Sequence, residues 1–86
     1  MSRELMFLPD AWEDYLYWQE KDKKTLRRLN RLIEQCRRTP DEGVGKPEPL
    51  KGDLAGYWSR RLNEIDRLVY RWTQDQLIVI QCRGHY

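Results

Sequence analysis

The sequence has little cysteine and no long hydrophobic run. Two cysteines, Cys36 and Cys82, are too few for a disulfide framework, so we expect both to be reduced thiols in a cytoplasmic protein. No run of about 18 apolar residues is present, which excludes a membrane-spanning helix. The apolar stretch near the N-terminus is too short for a signal peptide. At 86 residues, the chain is expected to form one domain over residues 1–86.

Histidine is almost absent as well, and the one that is present lies beside the last residue. His85 precedes Tyr86 in the terminal segment CRGHY. Together with Cys36 and Cys82 it has no spacing typical of a metal site, so we expect no metal and no other cofactor. The segment GVGK lacks the spacing of a phosphate-binding loop. The side chain that titrates near neutral pH therefore lies where chains usually fray, either idle or as part of a site.

The charge is nearly balanced in total but is unevenly distributed. The formal net charge is +2, yet residues 4–20 carry five acidic side chains and no basic one. Residues 21–38 carry eight Lys or Arg against two acidic residues. Such segregation favours a basic surface that binds a polyanion, with a solvated helix face as the alternative. The candidates for nucleic-acid contact are Arg27, Arg28 and Arg31.

Hydrophobic periodicity predicts a short strand and two helices in the first half. The strand lies in RELMFL, and the first helix is expected to begin with Asp10 as its N-cap. The second helix, in KKTLRRLNRLIEQCRRT, places apolar residues three and four apart at Leu26, Leu29, Leu32, Ile33 and Cys36. A loop rich in proline and glycine then follows over residues 39–50, and its length favours a functional role.

The remaining segment alternates between apolar and polar residues, which predicts antiparallel strands. We expect Leu62 to pair with Leu68 and Trp58 with Trp72, leaving residues 64–66 as the hairpin loop. The predicted fold class is α+β, with two N-terminal helices packed on one face of an antiparallel sheet. The side chains expected to face the helices occupy even positions: Trp58, Leu62, Leu68, Tyr70, Trp72, Ile78, Ile80 and Cys82.

The odd positions of the same strands carry cations, and these predict an anion site on the opposite face. Like charges on neighbouring strands repel, and a phosphate held by guanidinium groups resolves the repulsion. A surface for a protein partner is the alternative. The expected substrate-binding residues are Arg61 and Arg83 of the strands together with Lys46 and Lys51 of the preceding loop.

The residue types near this face also match the needs of metal-free RNA cleavage. That reaction uses a base for the 2′-hydroxyl, an acid for the departing 5′-oxygen and cations for the charge on phosphorus. Glu48, His85 and the arginines Arg61, Arg67 and Arg83 supply these types, and Tyr86 can stack on a base or donate its hydroxyl. Taken singly, Glu48 is more typical of a solvated loop carboxylate and His85 of an idle terminal residue, so the interpretation depends on their occurring together.

Several segments resemble the Txe/YoeB toxins of the RelE/ParE toxin–antitoxin superfamily. They are WEDYLYWQEKDKK, RRTPDEGVGKPEPL, WSRRLNEIDRLVY and CRGHY, so the resemblance runs from about residue 5 to the end. It implies a RelE-like, microbial-ribonuclease-like fold and a ribosome-dependent endoribonuclease that cleaves messenger RNA in the ribosomal A site and stops translation. A non-enzymatic ParE-like toxin that binds DNA gyrase is the alternative.

The same resemblance implies partners. Such toxins form homodimers, are neutralised by a cognate antitoxin, here expected to be of the Phd/YefM type, and bind operator DNA as the toxin–antitoxin complex.

Positions within these motifs imply roles for individual residues. Glu48 corresponds to the general base, Arg67 to the phosphate stabiliser and His85 to the general acid beside Tyr86. Arg61 is implied as a further phosphate contact. The chain departs from the family pattern at Asp66, where His is frequent, and at Gly84, where an aromatic residue is expected.

Overall fold

The protein, described here by a computed structural model for residues 2–85, is a five-stranded sheet covered by two helices. The elements in chain order are β1 (Glu4–Phe7), α1 (Pro9–Lys21), α2 (Lys23–Arg38), β2 (Glu48–Pro49), β3 (Trp58–Arg61), β4 (Arg67–Trp72) and β5 (Gln76–Gln81). The strand order is β1-β5-β4-β3-β2, with β1 parallel to β5 and all other pairs antiparallel. The predicted α+β class is confirmed, and the parallel β1–β5 pair is its one departure from an antiparallel sheet.

The two helices differ at their N-termini, and only α2 has a side chain that caps the helix. The expectation that Asp10 caps α1 is wrong, because Leu8 is the N-cap and Pro9, with its preset φ, opens the helix. At α2 the cap is Asp22, whose carboxylate accepts hydrogen bonds from the Thr25 backbone N (3.0 Å) and Oγ1 (2.7 Å). These bonds lower the pKa of the Asp22 carboxyl. Asp22 alone separates the helices, so they fold back directly against each other.

The core lies between the helices and one face of the sheet. The buried side chains of α2 are those predicted from its apolar spacing: Leu29, Leu32, Ile33 and Cys36. They pack against Ala11 and Trp18 of α1 and against Leu62, Leu68, Tyr70, Leu77, Val79 and Cys82 of the sheet and its ends. Trp18 Nε1 donates to the carbonyl oxygen of Cys82 at 2.8 Å, so the buried indole N–H is satisfied.

The β3–β4 hairpin pairs two residues away from the predicted register. Trp58 lies opposite Tyr70, not Trp72, and Arg61 lies opposite Arg67. Leu62 therefore does not pair with Leu68 within the ladder, and the loop covers residues 62–66. A shift of two residues leaves every side chain on its predicted face.

Asn63 explains why the hairpin loop is longer than expected. Its Oδ1 accepts hydrogen bonds from the backbone N of Ile65 (2.9 Å) and of Asp66 (2.7 Å). An asparagine that bonds the backbone two residues ahead replaces a strand ladder with a turn. The strands therefore end earlier than alternation alone indicates.

A β-bulge reverses the predicted faces in β5. Val69 pairs with Gln81 but Tyr70 pairs with Val79, so Ile80 is an extra residue on β5. The alternation shifts by one at such a point. Leu77 and Val79 therefore join the core cluster, and the prediction that Ile78 faces the helices is wrong. Because residues 77–80 are all apolar, no polar residue marks the change of face.

Arg60 is fully buried and organises the loop between α2 and β2. Its side chain is on the helix side of the sheet and has 0% exposure. All five guanidinium N–H groups find acceptors. These are Tyr70 Oη (3.1 Å), Gln35 Oε1 (2.5 Å) and the carbonyl oxygens of Thr39 (2.6 Å), Glu42 (2.7 Å) and Val44 (3.0 Å).

The loop is shaped to fit around this guanidinium. Gly43 has φ of +121°, and a Cβ at this position would collide with the Gln35 side chain. The carbonyl oxygen of Gly45 accepts the backbone N–H of Arg61 at 2.7 Å, which fastens the loop to β3. The chain then enters β2, so the packing around Arg60 also places Glu48 at the edge of the sheet.

We predict that Arg60→Ala destabilises the fold strongly, because it removes five hydrogen bonds made by a buried charged group to one buried and four partly buried acceptors, and bonds to charged groups contribute about 1.5–3 kcal/mol each. The free energy of unfolding should fall by at least about 3 kcal/mol, which for a chain of this size lowers Tm by about 12 °C or more. Thermal unfolding followed by circular dichroism measures this. The matched control is Arg61→Ala at the exposed neighbouring position, which should change stability by about 0.5 kcal/mol or less. Equal melting temperatures for the two variants would contradict the role of Arg60.

Candidate functional site

Glu48, Arg61 and Arg67 share the sheet face that lies opposite the core. Arg61 and Arg67 are direct neighbours across β3 and β4. Glu48 is paired with Ser59, which precedes Arg61 by two residues on β3 and so has the same orientation. Glu48 is therefore about 7 Å from the Arg61–Arg67 pair along the strand direction. The expectation that Arg61 and Arg67 project to the same side agrees with this pairing, and Glu48, which the sequence placed only in the neighbouring loop, joins them.

Three arginines line a cleft at the end of the β3–β4 hairpin. Arg28, Arg61 and Arg67 border a space of about 500 Å³ together with Leu62, Asn63 and Glu64. Three positive charges in one concave site attract an anion, and guanidinium groups match the geometry of phosphate.

Two of these guanidinium groups are oriented by the protein backbone. Arg28 donates from Nε to the carbonyl oxygen of Leu62 (2.7 Å) and from Nη2 to that of Arg61 (3.1 Å). Arg67 donates from Nη1 to the carbonyl oxygens of Asn63 (2.8 Å) and Asp66 (3.0 Å). Neutral carbonyl acceptors fix the positions of the side chains without cancelling their charge.

Arg28 is the cleft residue that sequence reasoning assigned elsewhere. The charge pattern groups it with Arg27 and Arg31 as a nucleic-acid contact, and in the predicted function this contact is with the ribosome. Of the three, Arg27 and Arg31 are exposed, whereas Arg28 is partly buried against the hairpin. The sequence does indicate this placement, because Arg28 lies four residues before the buried Leu32 and hence beside the apolar stripe of α2.

The chain end lies against the start of β4. The backbone N–H of Gly84 donates to Asp66 Oδ1 at 2.6 Å, and the carbonyl oxygen of Gly84 accepts the backbone N–H of Arg67 at 3.0 Å. His85, the next residue, is exposed. These contacts bring the segment that carries His85 beside Arg67 and its neighbour Arg61. Tyr86 lies outside the described residues, and its predicted role stays a prediction.

Arg83 does not join Arg61 and Arg67, so the expectation that it shares their side of the sheet is wrong. Its guanidinium carbon lies 3.5 Å from the centroid of the Tyr17 ring on α1, a cation–π contact. The acidic residues of α1 add to this attraction. Asp14 is among them: burial raises the pKa of its carboxyl, and the Cys82 backbone hydrogen bond and the Arg83 charge oppose that rise.

The two predicted lysines lie on either side of β2. Lys46 and Lys51 are both exposed, and Lys46 has a left-handed backbone with φ of +52°. They flank Glu48 in sequence, at the edge of the sheet rather than in the arginine cleft. Their predicted contact with substrate stays a prediction.

The two cysteines are buried and are not poised for chemistry. Burial raises the pKa of Cys36 to about 11 and that of Cys82 to about 12, so both thiols stay protonated near neutral pH. Within residues 2–85, no group of three or more His, Cys, Asp or Glu side chains is arranged to hold a metal ion. In the same part of the chain, no helix has the length and apolar character needed to cross a membrane.

Comparison with known proteins identifies relatives over nearly the whole chain. The family model described as YoeB-like toxin of bacterial type II toxin–antitoxin system matches residues 7–86. Toxin YoeB of Streptomyces coelicolor is 56% identical over 82 residues, which are 95% of this chain and 98% of that protein. Toxin YoeB of Escherichia coli K12 is 55% identical with the same coverage of 95% and 98%.

Solved structures agree with this assignment and confirm the RelE-like fold implied by the motifs. The YoeB/ParE toxin from Agrobacterium tumefaciens has a TM-score of 0.92 at 49% identity, covering 96% of this chain and 99% of that one. The YoeB dimer from Staphylococcus aureus has a TM-score of 0.92 at 41% identity, with 100% of both chains covered. In the YoeB–YefM complex from the same species the values are 0.89, 40% and 100% of both chains. With its sequence and its fold matched over nearly their full length, this chain belongs to the family of YoeB-like toxins of bacterial type II toxin–antitoxin systems.

Proposed function

We propose that this toxin is a ribosome-dependent endoribonuclease that cleaves messenger RNA in the ribosomal A site by metal-independent acid–base catalysis. The observation that carries the proposal is the shared face of Glu48, Arg61 and Arg67, with His85 following the residue that is bonded to Arg67. A carboxylate, two phosphate-binding cations and an imidazole beside one surface are the groups that RNA transesterification requires.

The proposed reaction assigns one task to each group. Glu48 accepts the proton of a 2′-hydroxyl, and the 2′-oxygen attacks the adjacent phosphorus. Arg61 and Arg67 bind the non-bridging oxygens, where negative charge increases. The bond from phosphorus to the 5′-oxygen breaks as His85 donates a proton to that oxygen. The products are a 2′,3′-cyclic phosphate and a 5′-hydroxyl. For Tyr86, which lies outside the described residues, the proposed task is to stack on a base or to donate to the phosphate.

The basic side of α2 fits a role in binding the ribosome. Arg27 and Arg31 are exposed on this helix, and Arg28 borders the cleft. Ribosomal RNA is a polyanion, so these cations would hold the toxin in place while the cleft receives the messenger. Lys46 and Lys51, beside Glu48, would contact flanking phosphates of the messenger.

We further propose a Phd/YefM-type antitoxin as the neutralising partner, a homodimer as the free form, and operator binding only by the toxin–antitoxin complex. The YoeB–YefM complex and the YoeB dimer from Staphylococcus aureus support the first two assignments. A ribosomal target places the activity in the cytoplasm.

We predict that Glu48→Gln lowers the rate of cleavage by about 10²–10⁴-fold, the usual contribution of a general base. The measurement is primer extension on messenger bound to programmed ribosomes, with the chemistry of the product ends determined. The matched control is Glu64→Gln, which removes the exposed carboxylate at the border of the arginine cleft and should retain most of the rate. If the Glu64 variant lost cleavage and the Glu48 variant retained it, the general base would be Glu64 of the hairpin loop and not Glu48.

The same assay decides between the two classes of toxin. If the wild-type protein left programmed messenger intact and instead inhibited DNA gyrase, the nuclease proposal would be wrong and the ParE-like alternative correct.

We predict that reversing two charges on α2, in the double variant Arg27→Glu and Arg31→Glu, weakens ribosome binding without slowing the chemical step. Each lost phosphate contact should reduce the slope of log affinity against log salt by about 0.7–0.9. Affinity is measured by sedimentation with ribosomes over a salt series, and the internal control is the cleavage rate at saturating toxin. An unchanged salt slope would exclude these arginines from the interface.

A further inference from the structure

We propose that Asp66 is a positioning residue that sets the location of His85 by holding the backbone N–H of Gly84. The proposal rests on the function proposed above, in which His85 is the general acid. Asp66 contacts neither substrate nor the reacting atoms in this assignment, and it acts through the main chain of the terminal segment.

The central observation is a two-point attachment of Gly84. Its N–H donates to Asp66 Oδ1 at 2.6 Å, and its carbonyl oxygen accepts the backbone N–H of Arg67 at 3.0 Å. Both bonds are made to consecutive residues at the start of β4. Strand β5 ends at Gln81, so these two bonds hold the chain beyond the strand and immediately before His85.

The carboxylate that holds Gly84 is itself fixed in place. Asn63 Nδ2 donates to Asp66 Oδ2 at 3.0 Å, and the backbone N–H of Asp66 donates to Asn63 Oδ1 at 2.7 Å. Asp66 is also half-buried in the hairpin loop. With one carboxylate oxygen bound to Asn63 and the other to Gly84, the side chain joins the hairpin loop to the chain end.

The backbone of Gly84 is suited to this attachment. Its φ is +87°, a conformation that side-chain-bearing residues adopt only with strain. A Cβ at Gly84 would meet Gln81 Nε2 at 3.9 Å, an ordinary contact, so backbone conformation and not lack of space accounts for the glycine. The terminal segment therefore turns sharply at Gly84, a residue whose N–H and carbonyl oxygen are both held.

A fixed turn matters because a general acid must come within hydrogen-bond reach of the leaving oxygen. A displacement of about 1 Å can reduce a catalysed rate by about 10²-fold. Without Asp66, the N–H of Gly84 would lose its acceptor, and the peptide that leads to His85 would be less firmly fixed at Gly84. Loss of Asp66 should therefore reduce proton donation by His85 and leave the binding of phosphate to Arg61 and Arg67 intact.

One isosteric change and one change of side-chain length separate geometry from charge. Asp66→Asn removes the charge but keeps an oxygen that can accept the Gly84 N–H. Its amide Nδ2 cannot accept from Asn63 Nδ2, so that bond is lost, but the bond to Gly84 and most of the cleavage rate should be retained. Asp66→Glu keeps the charge but moves the carboxylate by one methylene, so it should lower kcat by about 10-fold or more with little change in KM. If the Glu variant were active and the Asn variant inactive, the charge of Asp66 would be the relevant property and the proposal would be overturned.

A double-mutant cycle then tests whether Asp66 acts through His85. Asp66→Ala should lower kcat by about 10²-fold in the wild-type background and have almost no further effect once His85→Ala is present, because coupled residues are not additive. Equal reductions in both backgrounds would mean that Asp66 supports Arg67 or the fold in general, and would overturn the proposal.

Hydrogen exchange of the Gly84 amide, followed by NMR, provides a readout that does not depend on cleavage. The amide should be protected in the wild type and in Asp66→Asn, and should exchange faster in Asp66→Ala or Asp66→Glu. A wild-type protein that fails to cleave messenger RNA on programmed ribosomes would refute the proposed function. An unprotected Gly84 amide in a folded wild type would refute the attachment itself, whether or not the protein cleaves.

Discussion

The guanidinium group of Arg60 is the contact on which the geometry of the site depends. A buried charge is costly unless hydrogen bonds replace its hydration. Here five oxygens do so, and three of them are backbone carbonyls of the loop that leads from α2 to the sheet. The loop carbonyls need donors as much as the arginine needs acceptors. Neither can be removed alone, and their mutual satisfaction delivers Glu48 to the edge of β3.

A common device positions the other parts of the site, namely hydrogen bonds between side chains and the main chain of distant segments. Arg28 reaches from α2 to the carbonyl oxygens at the end of β3, and Asp66 reaches from the hairpin loop to the N–H of Gly84. Such contacts orient the cations without neutralising them. They also hold Gly84, which lies beyond the last residue of β5. The cleft is thus held by main-chain contacts although the hairpin loop forms much of its border.

The errors of the sequence prediction have local causes. The hairpin register differs by two residues because Asn63 forms a turn with its own loop, and a shift of two preserves the faces. The β5 bulge shifts the alternation by one and so exchanges the faces of Leu77 and Ile78. Arg83 turns to Tyr17 and the acidic side of α1 because the ladder of β5 ends before it. Asp66 and Gly84 were each noted as departures from the family pattern, but their contact joins residues 18 positions apart.

The sequence by itself determined the family, the α+β class, the two helices with the buried face of α2, and the common side of Arg61 and Arg67. Each of these follows from local periodicity or from contiguous motifs, which a linear pattern contains. Only the tertiary structure decided that Arg60 is buried while Arg61 is exposed, that Arg28 belongs to the cleft, and that Asp66 holds Gly84. Adjacent arginines look alike in a sequence, and their roles separate only when distant backbone groups supply or withhold hydrogen-bond acceptors.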